Sequence, residues 1–270
     1  MPEEIMKVVC IFSGERSGTN HLCRLLTNFP ELRVYEELFN KRGTFTLFDD
    51  ELAAVSELSG ETYSSYRDER LVAFSRSEPK ALLRLLQDLN ARKGKSAIVF
   101  KIFPGQMDTA SIHTEILNEF ACVPVILMRQ MLDSYISFKK ALTTDRWTSA
   151  DTTSVRVGLE VRELERWVKS HRAWFGHWDD HFRASGAVVP FLLYERDLNG
   201  RTPEEVLSKF SEFVGQTAGL TLKAPKRMKN IGLPRQDLAT SVEAKVSNWE
   251  EFTSTPGAKL ILESSRGYPV

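Results

Sequence analysis

Arg16-Ser17-Gly18-Thr19-Asn20 is the segment of this 270-residue chain best suited by residue type to hold an anion. Glycine permits a backbone conformation closed to other residues, so successive N–H groups can converge on one point, and Arg16 adds a fixed positive charge there. The flanking sequence supplies the scaffold. Val8-Val9-Cys10-Ile11-Phe12 is an apolar, β-branched run, and Leu22, Leu25 and Leu26 then recur at helical spacing. A strand, a tight loop and a helix follow one another, and the helix N-terminus adds its positive dipole end to the loop. A phosphate or sulfate is the natural occupant. The loop is not a Walker A motif, because Gly14 and Gly18 are only four apart and Asn20 follows Thr19 with no lysine. A helix starting after a glycine turn in any α/β protein would share part of the pattern.

A second arginine, Arg129, follows the apolar run Val123-Pro124-Val125-Ile126-Leu127-Met128, with Ser137 eight residues further on. Alone, this pair reads equally as an arginine closing a strand and a serine on a helix surface. In order and separation, however, the two motifs together resemble the 5′-phosphosulfate loop and the 3′-phosphate-binding pair of sulfotransferases that use 3′-phosphoadenosine 5′-phosphosulfate (PAPS). Eight residues along a helix return to nearly the same face, so a guanidinium fork and a hydroxyl can share one phosphate. Phe191-Leu192-Leu193-Tyr194-Glu195-Arg196-Asp197-Leu198 resembles the family's strand ending in Tyr-Glu-Asp-Leu. Leu233-Pro234-Arg235-Gln236 and the later Ser247-Asn248-Trp249 resemble the cofactor-covering segment and Asn-Trp turn of bacterial carbohydrate sulfotransferases. The resemblance spans residues 7–253 and leans toward the nodulation-factor and trehalose enzymes. It implies PAPS as co-substrate, 3′-phosphoadenosine 5′-phosphate (PAP) as product, and no metal. It also implies nucleotide contacts from Arg16, Ser17, Gly18, Thr19, Asn20, Arg129, Ser137, Tyr194 and Arg235, and a small-molecule or oligosaccharide acceptor bearing a hydroxyl.

Sulfuryl transfer of this kind needs charge at the leaving phosphate, a base for the acceptor hydroxyl and exclusion of water. Arg16 is expected to supply the charge without donating a proton. Animal cytosolic sulfotransferases carry their base on a Lys-x-His strand, but Phe100-Lys101-Ile102-Phe103-Pro104 has phenylalanine at the histidine position. Tyr35-Glu36-Glu37-Leu38-Phe39-Asn40 instead resembles the glutamate-aromatic segment of the trehalose and nodulation type, which makes Glu37 the expected base and Glu36 its alternative. Alternation along an extended segment would put the two carboxylates on opposite faces. Both also fit as plain surface carboxylates. Lys101 is expected to touch the transferring group. Two other readings of the chain are a P-loop small-molecule kinase and a non-catalytic PAPS- or PAP-binding module.

Basic and acidic residues balance at 36 each, so no global charge directs the chain to nucleic acid. There is no long apolar run, and Met-Pro-Glu-Glu leads quickly into the first strand, which is the pattern of a cytosolic protein without a leader or membrane insertion. The chain is compatible with a homo-oligomer. Cys10, Cys23 and Cys122 are expected to be buried free thiols. Alternating strand and helix patterns predict an α/β fold, a mainly parallel sheet wrapped by helices on both faces. The expected strands are residues 7–13, an extended run 32–38, residues 97–103, the run before Arg129, and one at Val188. The expected helices are residues 18–28, 79–92, 109–120, the Ser137 helix, residues 159–182, and one opened by Thr202-Pro203-Glu204-Glu205 as a capping box. All of residues 1–270 form one domain on this reading. Residues 41–78, with a short helix at 50–58, form a substrate-facing insertion, and residues 222–253 cover the nucleotide. His177 and His181 lie one turn apart but lack a third metal ligand in sequence. Trp167, Trp174 and Trp178 share a helix face suited to packing.

Overall fold

The computed structural model describes residues 6–148 and 150–270; the Met-Pro-Glu-Glu start lies outside that range. Its centre is a five-stranded sheet in the order β2-β3-β1-β4-β5, formed by β1 (Lys7–Ser13), β2 (Leu32–Val34), β3 (Ala97–Ile102), β4 (Cys122–Met128) and β5 (Phe191–Leu193). Every pairing is parallel, with Val9 aligned to Val99 on one side and to Val123 on the other. The fold is thus the expected α/β arrangement, with helices on both faces.

The apolar strand runs are explained by burial from both sides. Val8, Cys10 and Phe12 point to one face, where they meet Leu82, Leu83 and Leu86 of α4 (Pro79–Ala91) and Trp174 and Trp178 of α7 (Val161–Ala184). Val9 and Ile11 point to the other, against Leu22, Leu25 and Leu26 of α1 (Thr19–Leu26) and Val206, Leu207 and Phe210 of α8 (Pro203–Ala218). A third apolar cluster joins α6 (Met131–Thr144), α7 and the C-terminal helices α9 (Val242–Lys245), α10 (Trp249–Ser254) and α11 (Ala258–Ser265) through Met131, Leu132, Leu164, Val242, Phe252 and Leu262. The Thr202 capping box forms as read, with both reciprocal bonds present.

Several boundaries differ. The second extended run stops being a regular strand at Val34, although the Tyr35 N–H still donates to Val99 O at 2.7 Å and the Lys101 N–H to Glu36 O at 3.1 Å. The strand expected at Val188 begins only at Phe191; Val188 itself is 79% exposed. Residues 41–78 hold two helices, α2 (Asp49–Ser59) and α3 (Glu69–Ser77), the second capped by Asp68 accepting from the Arg70 N–H. The helix expected at 109–120 is a short α5 (Thr109–Ile112) that widens into a π-helical turn, His113–Leu117. Cys10 and Cys23 are buried, and Cys122 is half-buried. His113 joins the two sequence-noted histidines, its Nε2 lying 3.1 Å from that of His177. No described helix is long and apolar enough to cross a membrane.

Because all five strands run the same way, their C-terminal ends lie along one edge of the sheet. That edge carries the loop after β1, Glu36 and Glu37 after β2, Phe103 after β3, Arg129 after β4 and Tyr194 after β5. Open α/β sheets bind ligands at this edge.

Candidate active site

The loop after β1 turns into α1 through two left-handed residues, Arg16 (φ 62°) and Gly18 (φ 86°). Gly18 is the N-cap of α1. Only glycine fits there, since a Cβ would lie 2.5 Å from Cδ2 of Tyr194. The phenol ring therefore lies directly on the loop backbone. A similar closeness holds at Gly14, where a Cβ would come within 2.7 Å of Nε2 of the buried His171. That imidazole gives its Nδ1 proton to Trp167 O at 3.0 Å, and burial pulls its pKa down to about 4.

Arg16 is the hub of the loop. Its Nε donates to Ser137 Oγ at 3.0 Å, and its two terminal nitrogens reach Trp147 O and the Gln236 side-chain oxygen. Burial, together with the neighbouring Arg129 charge, lowers the Arg16 guanidinium to about 10 against the opposing effect of Tyr194, so it stays charged at neutral pH. Arg129 donates from one terminal nitrogen to Arg16 O at 2.9 Å and lies 4.5 Å above the Tyr194 ring. Its Nε is buried without a hydrogen-bond partner, and the nearest carboxylate, Glu195, is 3.9 Å away. Arg16, Gly18, Thr19, Asn20, Arg129, Ser137, Tyr194 and Arg235 thus share one cleft, while Ser17 is buried behind its wall. The cleft encloses about 1260 Å³.

Glu36 and Glu37 also line this cleft. They do not face opposite ways. Both carboxylates turn to the fully buried Lys101, Glu37 Oε1 at 3.3 Å and Glu36 Oε2 at 3.8 Å, because regular strand geometry has already ended at Val34. The other Glu37 oxygen accepts from Gln106 at 2.8 Å and from Asn40 at 2.5 Å. Lys101 also contacts Asn20 and, at 3.5 Å, Thr19 Oγ1, which couples the glutamates to the start of α1. Lys101 thus sits behind the carboxylates instead of on the cleft wall.

The segment from Lys229 to Asp237 forms the remaining wall. Asn28, in the turn after α1, accepts from the Lys229 and Asn230 N–H groups at 2.7 and 3.0 Å and donates to Asn230 O. The Leu233 N–H lies 2.9 Å from Nδ1 of His21, and Asp237 pairs with the buried Lys140 at 2.7 Å. Arg235 is exposed on the cleft side of this strap.

Glu15, Gln106 and Trp147 belong to the cleft but have no motif to mark them. Burial pushes the Glu15 carboxyl up, with Glu37 adding to the effect against a backbone hydrogen bond. Glu15 stands inside the anion loop, so loop position was its one available signal. Gln106 and Trp147 arrive through tertiary folding alone.

No protein-family model matches the chain, and no curated protein matches it by sequence. Among solved structures it is similar to the sulfotransferase domain of the Synechococcus olefin synthase, with 16% identity, TM-score 0.49, and coverage of 97% of this chain and 96% of that one. It is also similar to a sulfotransferase from Mycobacterium tuberculosis, with 14% identity, TM-score 0.48, and coverage of 96% and 76%. A mouse sulfotransferase complexed with PAP gives 13% identity, TM-score 0.46, and coverage of 95% and 82%.

Proposed function

We propose that the protein is a sulfotransferase that moves a sulfuryl group from PAPS to a hydroxyl of a carbohydrate or glycolipid-type acceptor. One observation carries the reading: Arg129 Nε is buried with no hydrogen-bond partner, Glu195 being 3.9 Å away, on the arginine that holds Arg16 O and lines the same cleft as Ser137, where a second phosphate would complete it. A buried charged donor without a hydrogen bond is costly, and such groups mark places completed by a ligand. The loop around Gly18 offers N–H groups for the 5′ end, and Arg129 with Ser137 suits the 3′-phosphate. Tyr194 and Arg235 flank the space between. The co-substrate brings an activated sulfuryl group on a phosphate leaving group.

The protein's own part is positioning and charge. Glu37 takes the hydroxyl proton as the acceptor oxygen bonds to sulfur, and the electron pair of the broken sulfur–oxygen bond stays on the phosphate, where Arg16 balances it. Gln106 and Asn40 fix the Glu37 carboxylate, and Lys101 acts on it from behind as a positioning residue. Glu37 at the cleft wall supports an enzyme over a binding module. The carbohydrate acceptor and the cytosolic setting rest on the motif resemblance.

The test is thermal. PAP should raise Tm while ATP with Mg²⁺ raises it far less, since only PAP offers a 3′-phosphate to Arg129 and Ser137. Arg129→Ala should weaken PAP by about 1.5–3 kcal/mol, as expected for a lost charged hydrogen bond. Equal stabilisation by ATP would support the kinase reading instead.

A further inference from the structure

We propose that the acceptor alcohol itself carries an anionic group, a phosphate or a carboxylate, gripped by Arg42, Arg67 and Arg146 at the mouth of the cleft. The inference rests on the transferase reading above and narrows its substrate class.

The mouth is built from three separate segments. The loop before α2 contributes Lys41 and Arg42, the turn before α3 contributes Arg67, and the loop after α6 contributes Asp145, Arg146 and Trp147. Backbone packing brings them together. The Thr44 N–H donates to Tyr66 O at 2.8 Å, and a Cβ on Gly43 would be 3.4 Å from the Arg67 side chain, so Arg42 and Arg67 rise from one wall. Arg42 then reaches across the opening, its guanidinium 5.9 Å from the Trp147 ring, next to Arg146 on the far side.

Charge pairing separates this cluster from an ordinary polar rim. The chain is neutral overall, and the other acids near the cleft are engaged: Glu36 and Glu37 with Lys101, Asp133 with Lys245, Asp237 with Lys140. Among the described residues, Lys41, Arg42, Arg67 and Arg146 have neither an ion pair nor a side-chain hydrogen bond. Asp145 is the single carboxylate set among them. Glu15 lies deeper, in the anion loop. The mouth therefore holds a surplus of forked donors suited to bidentate recognition of phosphate or carboxylate. Phe45 and Phe103, on the same walls, offer apolar surface to the rest of the acceptor.

The inference is tested with PAP-saturated protein, so that the nucleotide cradle is closed to added anions. Calorimetric titration compares glucose, glucuronic acid and glucose 6-phosphate. Glucose 6-phosphate should bind at least tenfold more tightly than glucose, with glucuronic acid between them, and the margin should shrink as salt is raised. The double substitution Arg42→Gln, Arg67→Gln should erase the margin while the Tm increase produced by PAP persists. Equal binding of charged and neutral sugars, no binding of glucose 6-phosphate, or a margin indifferent to the double substitution each overturns the inference. Failure of PAP to raise Tm would instead remove the transferase reading, and this inference with it; a PAP shift without anion preference removes the inference alone.

Discussion

Glu37 is the residue on which the chemistry turns. Replacement by Gln keeps its shape and its contact with Gln106 while removing the ability to take a proton, so sulfuryl transfer should fall about 10²–10⁴-fold. Steady-state turnover with a saturating acceptor reads this directly, and the Tm increase given by PAP should be unchanged. Glu36→Gln should cost less, because Glu36 is farther from Lys101 and more exposed, with 35% of its side chain accessible against 16% for Glu37. Wild-type turnover in Glu37→Gln would pass the role of base to Glu36 or to Glu15. The pair of glutamates was visible in the sequence, as was Lys101, but their common orientation was not. Alternation predicts opposite faces only while a strand stays regular, and here pairing to β3 continues through Tyr35 and Glu36 after regular geometry has ended.

At the scale of elements, the junction of β1 and α1 can be tested by substitution at Gly18. Alanine there meets two penalties, the left-handed backbone, about 1–2 kcal/mol, and a collision with the Tyr194 ring. Gly60 caps α2 with φ 71° and has nothing within 4 Å of a would-be Cβ, so Gly60→Ala carries the first penalty alone. Gly18→Ala should therefore lower Tm more than Gly60→Ala, and it alone should weaken PAP. Equal losses in the two variants would mean that the ring does not depend on the missing side chain. Most strands could be read from sequence because a strand buried on both faces is a nearly unbroken apolar run. For the same reason β5 is expected too early: Ala187-Val188-Val189 is apolar, yet pairing begins only at Phe191, and Pro190, which has no N–H to give, contributes only its carbonyl to the Ile126 N–H at 3.0 Å. α3 was missed because its apolar positions, Leu71, Val72 and Phe74, are too few to show a period amid charged neighbours.

For the molecule as a whole, acid should be destabilising before the carboxylates titrate. His171 ionises near 4 in the folded chain and near 6.5 when unfolded, so between these values only the unfolded state binds the proton. Stability is complete above pH 6.5 and falls as pH drops toward 4, by about 3 kcal/mol from this one group. Burial shifts His21, His113 and His181 in the same direction. Melting curves between pH 7.5 and about 4.5 should show the fall, and His171→Phe, which cannot titrate, should flatten it. An unchanged slope in that variant would assign the effect to the other histidines. The gathering of the cleft from segments around residues 16, 37, 129, 194 and 236 follows from the parallel sheet, which the alternating elements had made legible. The crossing of Trp147 and Gln236 to Arg16 did not, since neither loop has a periodicity that would show where it ends up.

The central place of β1 also bears on how the chain acquires its shape during synthesis. Val8 pairs with Ile98 on one side and Cys122 on the other, so the central strand leaves the ribosome well ahead of both its neighbours. At translation speeds of about 5–20 residues per second, that apolar strand waits on the order of ten seconds with both edges open. The α1 leucines behind it offer early cover for one of its faces. Until β3 and β4 have been made, the anion cradle has no sheet to stand on, and the nascent segment is a natural client for chaperones that bind exposed apolar strands.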